Sequence, residues 1–204
     1  MPIERARAIA RALDAELVLV LRWRGGDVDR LVDEAHALLI GLVVDLLEHA
    51  GWVVRIEVSY SVYGERGSID VLAWHAATRT LLVIEVKSRL MSVEETLRKH
   101  GEKVRLAARV AAEQFGWHAA AVGRLLVLPD DSTSRRRAER HRHVLDRAYP
   151  MRGIVLRRWL GAPVRLEVEP AGLLFLSFPH GMRGRCGSVT RTRIRGRRVA
   201  EPRA

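Results

Sequence analysis

The stretch "GERGSIDVLAWHAATRTLLVIEVKSR", Gly64 to Arg89, sets Asp70 and Glu85 in text that otherwise reads as buried β-strand, with Lys87 two residues after Glu85. A buried charge is costly unless it is paired or bound to a metal. Strand side chains alternate faces, so Glu85 and Lys87 share one face with Leu81 and Val83, and Asp70 shares one with Ser68 and Leu72. Pairing the two segments as a hairpin brings Asp70 and Glu85 together near its open end. Two facing carboxylates raise each other's pKa. A hard divalent cation removes that penalty. Mg²⁺, with Mn²⁺ as its substitute, takes one or two carboxylates plus water and phosphate oxygens. The Val86 carbonyl is a further candidate ligand, and Lys87 would lie beside the site to orient water or stabilise charge building on a phosphate. In outline this is metal-assisted phosphodiester hydrolysis.

The elements that must position these residues follow from hydrophobic period and turn signals. A short helix over 3–14 and a strand over 15–23 precede the turn "RGGD". A helix of period 3.6 is expected from about Val28 to Ala50, with Leu31, Ala35, Leu38, Leu39, Leu42, Leu46 and Ala50 as its apolar positions and Gly51 as its stop. "WVVRIEVSYSVY", "SIDVLAWH" and "LLVIEVKS" then read as a three-stranded antiparallel meander. Gly64 and Gly67 read as turn residues that need positive φ, and His75 as a cap on the following turn. A second long helix covers about Ser92 to Phe115, and "VGRLLVLPD" is a fourth strand. "STSRRRAERHRHVLDRAY" reads as helix starting near Ser132 or Ser134, "GIVLRRWL" as a short helix or strand, and "GLLFLSF" as a strand. The order helix, three strands, helix, strand predicts an α/β fold, an α+β sandwich around a mixed central sheet. Three segments are expected: 1–27, a main domain over 28–179, and a basic disordered tail over 180–204.

Bulk composition narrows the partners. The 204 residues suffice for one domain with a real core, and 29% charged residues argue against a membrane protein. The longest apolar runs, Ala15–Leu21 and Ala37–Val44, are far short of a membrane span. The first residues lack the apolar core of a secretory signal, and the single cysteine, Cys186, excludes an internal disulfide, so a cytoplasmic location is expected. The net charge of +11 invites a polyanion. Eight Arg against one Glu from His180 to Ala204 supply much of it, and the Arg-over-Lys excess resembles a GC-rich coding bias.

"GSID" followed by "IEVKS" resembles the PD-(D/E)xK nuclease superfamily, whose restriction-endonuclease-like core has the same element order over about residues 28 to 130. Its nearest flavour is similar to archaeal Holliday-junction resolvases. The resemblance implies an Mg²⁺-dependent DNA endonuclease in which Asp70 and Glu85 bind metal and Lys87 is the motif lysine; Ile69 stands where a proline is usual. Resolvase-like members often add an acidic residue from the first helix. "DEAH" supplies Asp33 and Glu34, and Glu34, in line with Leu38, Leu42 and Asp45, is the better candidate because that stripe reads as core-facing. A helicase reading of "DEAH" fails for want of a phosphate-binding "GxxxxGK[ST]" loop. A second resemblance, carried by "YGERGSIDVLAWH" and "LLVLPDD", is to the domain that follows the helix-turn-helix module in actinobacterial Xre-type regulators. It implies a catalytically silent DNA-binding or regulatory alternative.

The remaining basic residues carry two readings each. Arg66 at the hairpin loop is solvated or touches phosphate. Lys99 and Lys103, one turn apart, are surface charges paired with Glu95 and Glu102, or donors to a scissile phosphate. Arg135, Arg136 and Arg137 are a solvated helix face or a DNA-backbone contact. A homodimer would supply one site for each DNA strand. A third possibility is a partner-binding domain in which Asp70, Glu85 and Lys87 form a structural ion cluster.

Overall fold

The computed structural model describes residues 26–178. The expected helix over 3–14, strand over 15–23 and basic segment over 180–204 lie outside the described residues. Leu31 to Phe178 lie within one compact unit. Helix α1 (Gly26–Glu48) leads into three strands, β1 (Val53–Val62), β2 (Glu65–His75) and β3 (Thr80–Val86). Helix α2 (Val93–Phe115) and strand β4 (Ala121–Pro129) follow. Two short helices, α3 (Ser132–Arg140) and α4 (Arg142–Ala148), precede the two-residue strand β5 (Met151–Arg152). Helix α5 (Gly153–Gly161) and strand β6 (Ala171–Leu176) complete the described chain. The fold is α/β, with one six-stranded mixed sheet in the order β1-β2-β3-β4-β6-β5. The meander is antiparallel as expected, and β3, β4, β6 and β5 run parallel. No described helix is long and apolar enough to cross a membrane.

Alternation along the central strands sorts their side chains into two covered faces. Leu82, Ile84, Val86, Leu125, Val127 and Leu174 pack with α1 and α5. Leu81 and Val83 pack with the second half of α2, while Leu126, Leu128 and Leu173 pack with its start and with α3 and α4. The α1 stripe is rotated from the expected one. Leu39, Ile40, Val43 and Leu47 are the buried positions, and Leu42, Leu46 and Ala50 only flank them.

Local signals explain the element ends. Ser92 caps α2 by accepting the Glu95 N–H at 3.1 Å, and Gly116 ends it with φ of 69°. Helix α3 starts at Ser132, one of the two expected starts, and is capped by Asp131, which accepts from the Ser134 N–H at 2.8 Å. The segment read as one helix there breaks into two at His141.

The β1–β2 hairpin turns at Tyr63 and Gly64, both with positive φ, between the paired Val62 and Glu65. That is the two-residue turn of type I′ pattern. Gly67 is no turn residue. It sits within β2, where an added Cβ would lie 2.5 Å from the Tyr60 hydroxyl. Gly67→Ala should therefore cost about 1–3 kcal/mol through overpacking. Denaturant unfolding checks this, and adding Tyr60→Leu should recover part of the loss because the two sites are coupled.

Both hairpin strands change face midway. In β1, Val54 packs with the α1 side, yet Val58, Tyr60 and Val62, at the same parity, pack with the α2 side. In β2, Leu72 and Ile69, at opposite parity, both pack with the α2 side. The register is continuous, with Ile56 opposite Val71 and Val58 opposite Ile69. The change is taken up at Glu57, whose φ is 50°, and at Asp70. The far half of the hairpin is tied to α2 by Arg105 on Glu65 at 2.7 Å and by Gln114 on the Ser59 carbonyl at 2.9 Å.

Candidate active site

The β2–β3 ladder runs from His75 opposite Thr80 to Val71 opposite Ile84. The next rung would set Asp70 opposite Glu85, and the ladder stops there. Instead the Val86 N–H donates to Asp70 Oδ2 at 2.8 Å, so a side chain takes the donor that a backbone carbonyl would have taken. Strand β3 continues against β4, with the Lys87 N–H donating to the Val127 carbonyl at 3.0 Å. The sheet forks at Asp70, at the same residue where the hairpin changes face.

Helix α2 closes the fork. Thr96, His100, Lys103 and Ala107 recur at helical spacing on its sheet-facing side. Lys103 Nζ lies 3.1 Å from Asp70 Oδ1 and 2.6 Å from Glu85 Oε2. Those two carboxylate oxygens are thus no farther apart than the two contacts placed end to end. Lys87 Nζ lies 2.6 Å from Glu85 Oε1. Exposure grades outward: the Glu85 side chain is 1% exposed, Lys103 12%, Asp70 15% and Lys87 35%. The cluster is a polar seam between the two apolar clusters under α2.

Charge balance keeps it ionised. Burial pushes the Glu85 carboxyl up, but Lys103 and Lys87 together pull it below its ordinary value. Burial pushes the Lys103 ammonium down, and Asp70 and Glu85 more than reverse this, so its pKa is raised.

Beside the seam lies His100, 1% exposed. Its Nε2 is 3.1 Å from the Val83 carbonyl, which can only accept, so Nε2 carries the proton. Nδ1 then accepts from the Tyr149 hydroxyl at 2.8 Å. Burial is the main cause that lowers the His100 pKa from 6.5 to about 4. The unfolded chain therefore binds a proton on this histidine that the fold refuses between those values. Stability should fall by roughly 3 kcal/mol as the pH drops through that window. In His100→Gln this part of the pH dependence should vanish, as measured by denaturant unfolding at pH 7 and pH 4.

The other expected site residues fare unequally. Asp70, Glu85 and Lys87 come together as the alternation predicted. Val86 meets the site through its N–H, which serves Asp70 as a donor. Glu34 is exposed, because the buried stripe of α1 runs through Leu39, Ile40, Val43 and Leu47 and not through Leu38 and Asp45. Lys99 is a surface charge paired with Glu95 at 2.9 Å. Lys103 departs from the surface pairing with Glu102 and holds the centre of the cluster. Arg66 and Arg136 are exposed. Arg135 pairs with Asp130 and lies over the Phe175 ring, and Arg137 donates to the Leu90 carbonyl at 2.7 Å. His75 binds Thr78 at 2.9 Å across the turn it was expected to cap.

One signal for Lys103 was available in the sequence. The chain has 32 Arg and three Lys, and all three lysines fall between residues 87 and 103. Two of the three, Lys87 and Lys103, meet the buried Glu85 carboxylate, while Lys99 is a surface pair, so the scarcity of lysine marks the segment and not a role for each.

Among the described residues, no group of three or more His, Cys, Asp and Glu side chains is placed to hold a metal ion. The carboxylate set of the fork is Asp70 and Glu85, with two ammoniums against them. No protein-family model matches this chain, and no curated protein matches it.

Proposed function

We propose that the chain is an Mg²⁺-dependent DNA endonuclease of the restriction-endonuclease-like class, with Mn²⁺ as a substitute ion. One observation carries the reading: Asp70 Oδ1 and Glu85 Oε2 converge on a single point at the fork of β2 and β3, a point suited to a cation. Two carboxylates fit Mg²⁺, which completes its shell with water and phosphate oxygens. When bound, the ion would supply Lewis-acid activation of water and phosphate. Asp70 and Glu85 would hold it, and the Val86 N–H keeps the Asp70 carboxylate in place. Lys87, the most exposed member, would donate to a phosphate oxygen as charge builds there. Arg66 and Arg136 are exposed cations for the DNA backbone. A homodimer working in the cytoplasm would cut both strands.

A second reading, a catalytically silent DNA-binding or regulatory module, is favoured by Lys103, whose ammonium already sits between the carboxylates. Branched, nicked and linear duplex DNA incubated with Mg²⁺ or Mn²⁺ separates the two. Cleavage abolished by the near-isosteric Asp70→Asn supports the nuclease. Salt-dependent binding without cleavage in either metal supports the silent module. Neither binding nor cleavage sinks both.

A further inference from the structure

We propose that Lys103 is a tethered occupant of the cation position, which a divalent ion must displace in order to bind. The proposal rests on the reading of Asp70 and Glu85 as metal ligands. All four of their oxygens are engaged: Asp70 Oδ2 with the Val86 N–H, Glu85 Oε1 with Lys87, and the remaining two with Lys103. Losing the Val86 contact would open the fork of the sheet. Losing Lys87 would free only the oxygen that faces away from Asp70. Lys103 is the partner whose departure opens both carboxylates at once.

Its chemistry suits that role. Lysine carries a point charge on a flexible four-carbon stem, whereas an arginine fork is planar and rigid. In a chain that otherwise uses Arg, the residue between the carboxylates is Lys. Its side chain is 12% exposed, so part of it already meets solvent. The cluster is formally neutral with both lysines in place. A divalent ion added on top of both ammoniums would meet their combined repulsion, and release of Lys103 removes the nearer one. The ion would then see two carboxylates and Lys87 only. Lys103 thus offsets the repulsion between the two carboxylates without metal and sets the concentration at which metal enters.

Two measurements on the full chain test this without relying on cleavage. The first is acetylation of the native protein's lysines, read by mass spectrometry with and without Mn²⁺. Lys99, exposed and paired with Glu95, serves as the internal reference. Lys103 should be slow to react in the absence of metal and should gain reactivity relative to Lys99 when Mn²⁺ is added. The second is Mn²⁺ binding by electron paramagnetic resonance. Lys103→Met should bind Mn²⁺ about tenfold more tightly or better, since a contact-range positive charge is removed. Either gain supports the proposal, as does Mn²⁺ binding that emerges only in Lys103→Met. Should Lys103→Met fail to fold, the labelling of native protein decides. Native protein that binds Mn²⁺ with neither gain overturns the proposal and leaves the metal reading intact. If neither protein binds Mn²⁺, the metal reading and the proposal fall together.

Discussion

Lys103→Met is expected to destabilise the metal-free protein by about 3–5 kcal/mol, the cost of stripping a buried ion pair of one partner. The side chain it loses is only 12% exposed, and the carboxylate it faces most closely, Glu85, is 1% exposed. Methionine matches the stem of lysine, so packing is nearly retained and the charge is the main change. Glu85 would keep Lys87, but Asp70 Oδ1 would face Glu85 Oε2 with no cation between them. Two carboxylates so placed raise each other's pKa, so the variant should take up a proton at higher pH than the native chain does. The pH dependence follows. In the native chain Glu85 lies below its ordinary 4.5, so its contribution is present above that value and lost as the pH falls through the lowered one. In the variant that loss should begin at higher pH. Denaturant unfolding from pH 4 to 8 reads both effects. A variant as stable as the native chain throughout would show that Lys103 contributes nothing net, as some buried ion pairs do.

The same cluster shows what the sequence made legible and why the rest was not. Alternation alone put Glu85 and Lys87 on one face with Leu81 and Val83, and β3 is regular enough for that to hold. Asp70 follows the same rule from Leu72, both on the α2 side. Its shared face with Ser68 ends where the hairpin changes side, because Ile69 and Leu72 both turn toward α2. A period of two cannot announce its own interruption, and Glu57, the other half of the break, is an ordinary residue in an uncommon backbone conformation. Glu34 was misread for a related reason. The first helix is apolar on much of its circumference, so a one-residue rotation of the stripe leaves the pattern nearly unchanged while moving Glu34 to the exposed side. Lys103 was hidden by local pairing rules. A lysine beside Glu102 on a long charged helix reads as surface, and only the docking of α2 against the sheet shows that its ammonium reaches two strands. The layer order, by contrast, was open to reading. The apolar runs, the Ser92 cap and the Gly116 stop fix α2 as the crossover that makes β3 and β4 parallel.

Lys87→Met should have the opposite profile to Lys103→Met, and the pair together separates chemistry from architecture. Lys87 is 35% exposed and meets one oxygen of one carboxylate. Only the Lys87 end of the pair is solvated, and Glu85 is buried, so the fold should lose about 1–2 kcal/mol, less than in Lys103→Met. Glu85 still has Lys103, so the buried carboxylate is never left bare. Mn²⁺ binding should persist, because Asp70 Oδ1 and Glu85 Oε2 are untouched. Under the nuclease reading the loss falls on the transition state. One N–H of the Lys87 ammonium is committed to Glu85, and the others are available to a phosphate oxygen as negative charge builds on it. Removing such a preorganised donor costs about 10²–10³ in rate. The turnover number should fall by that factor with DNA affinity nearly unchanged, the signature of an interaction made chiefly in the transition state. Lys87→Arg should rescue little, since a planar guanidinium paired to Glu85 presents its remaining donors along other directions. Cleavage by Lys87→Met at the native rate, with Mn²⁺ still bound, would confine Lys87 to holding Glu85 in place. The donor to the phosphate would then have to come from elsewhere, and an ammonium released from the fork, Lys103, is a cation already at the site that could supply it.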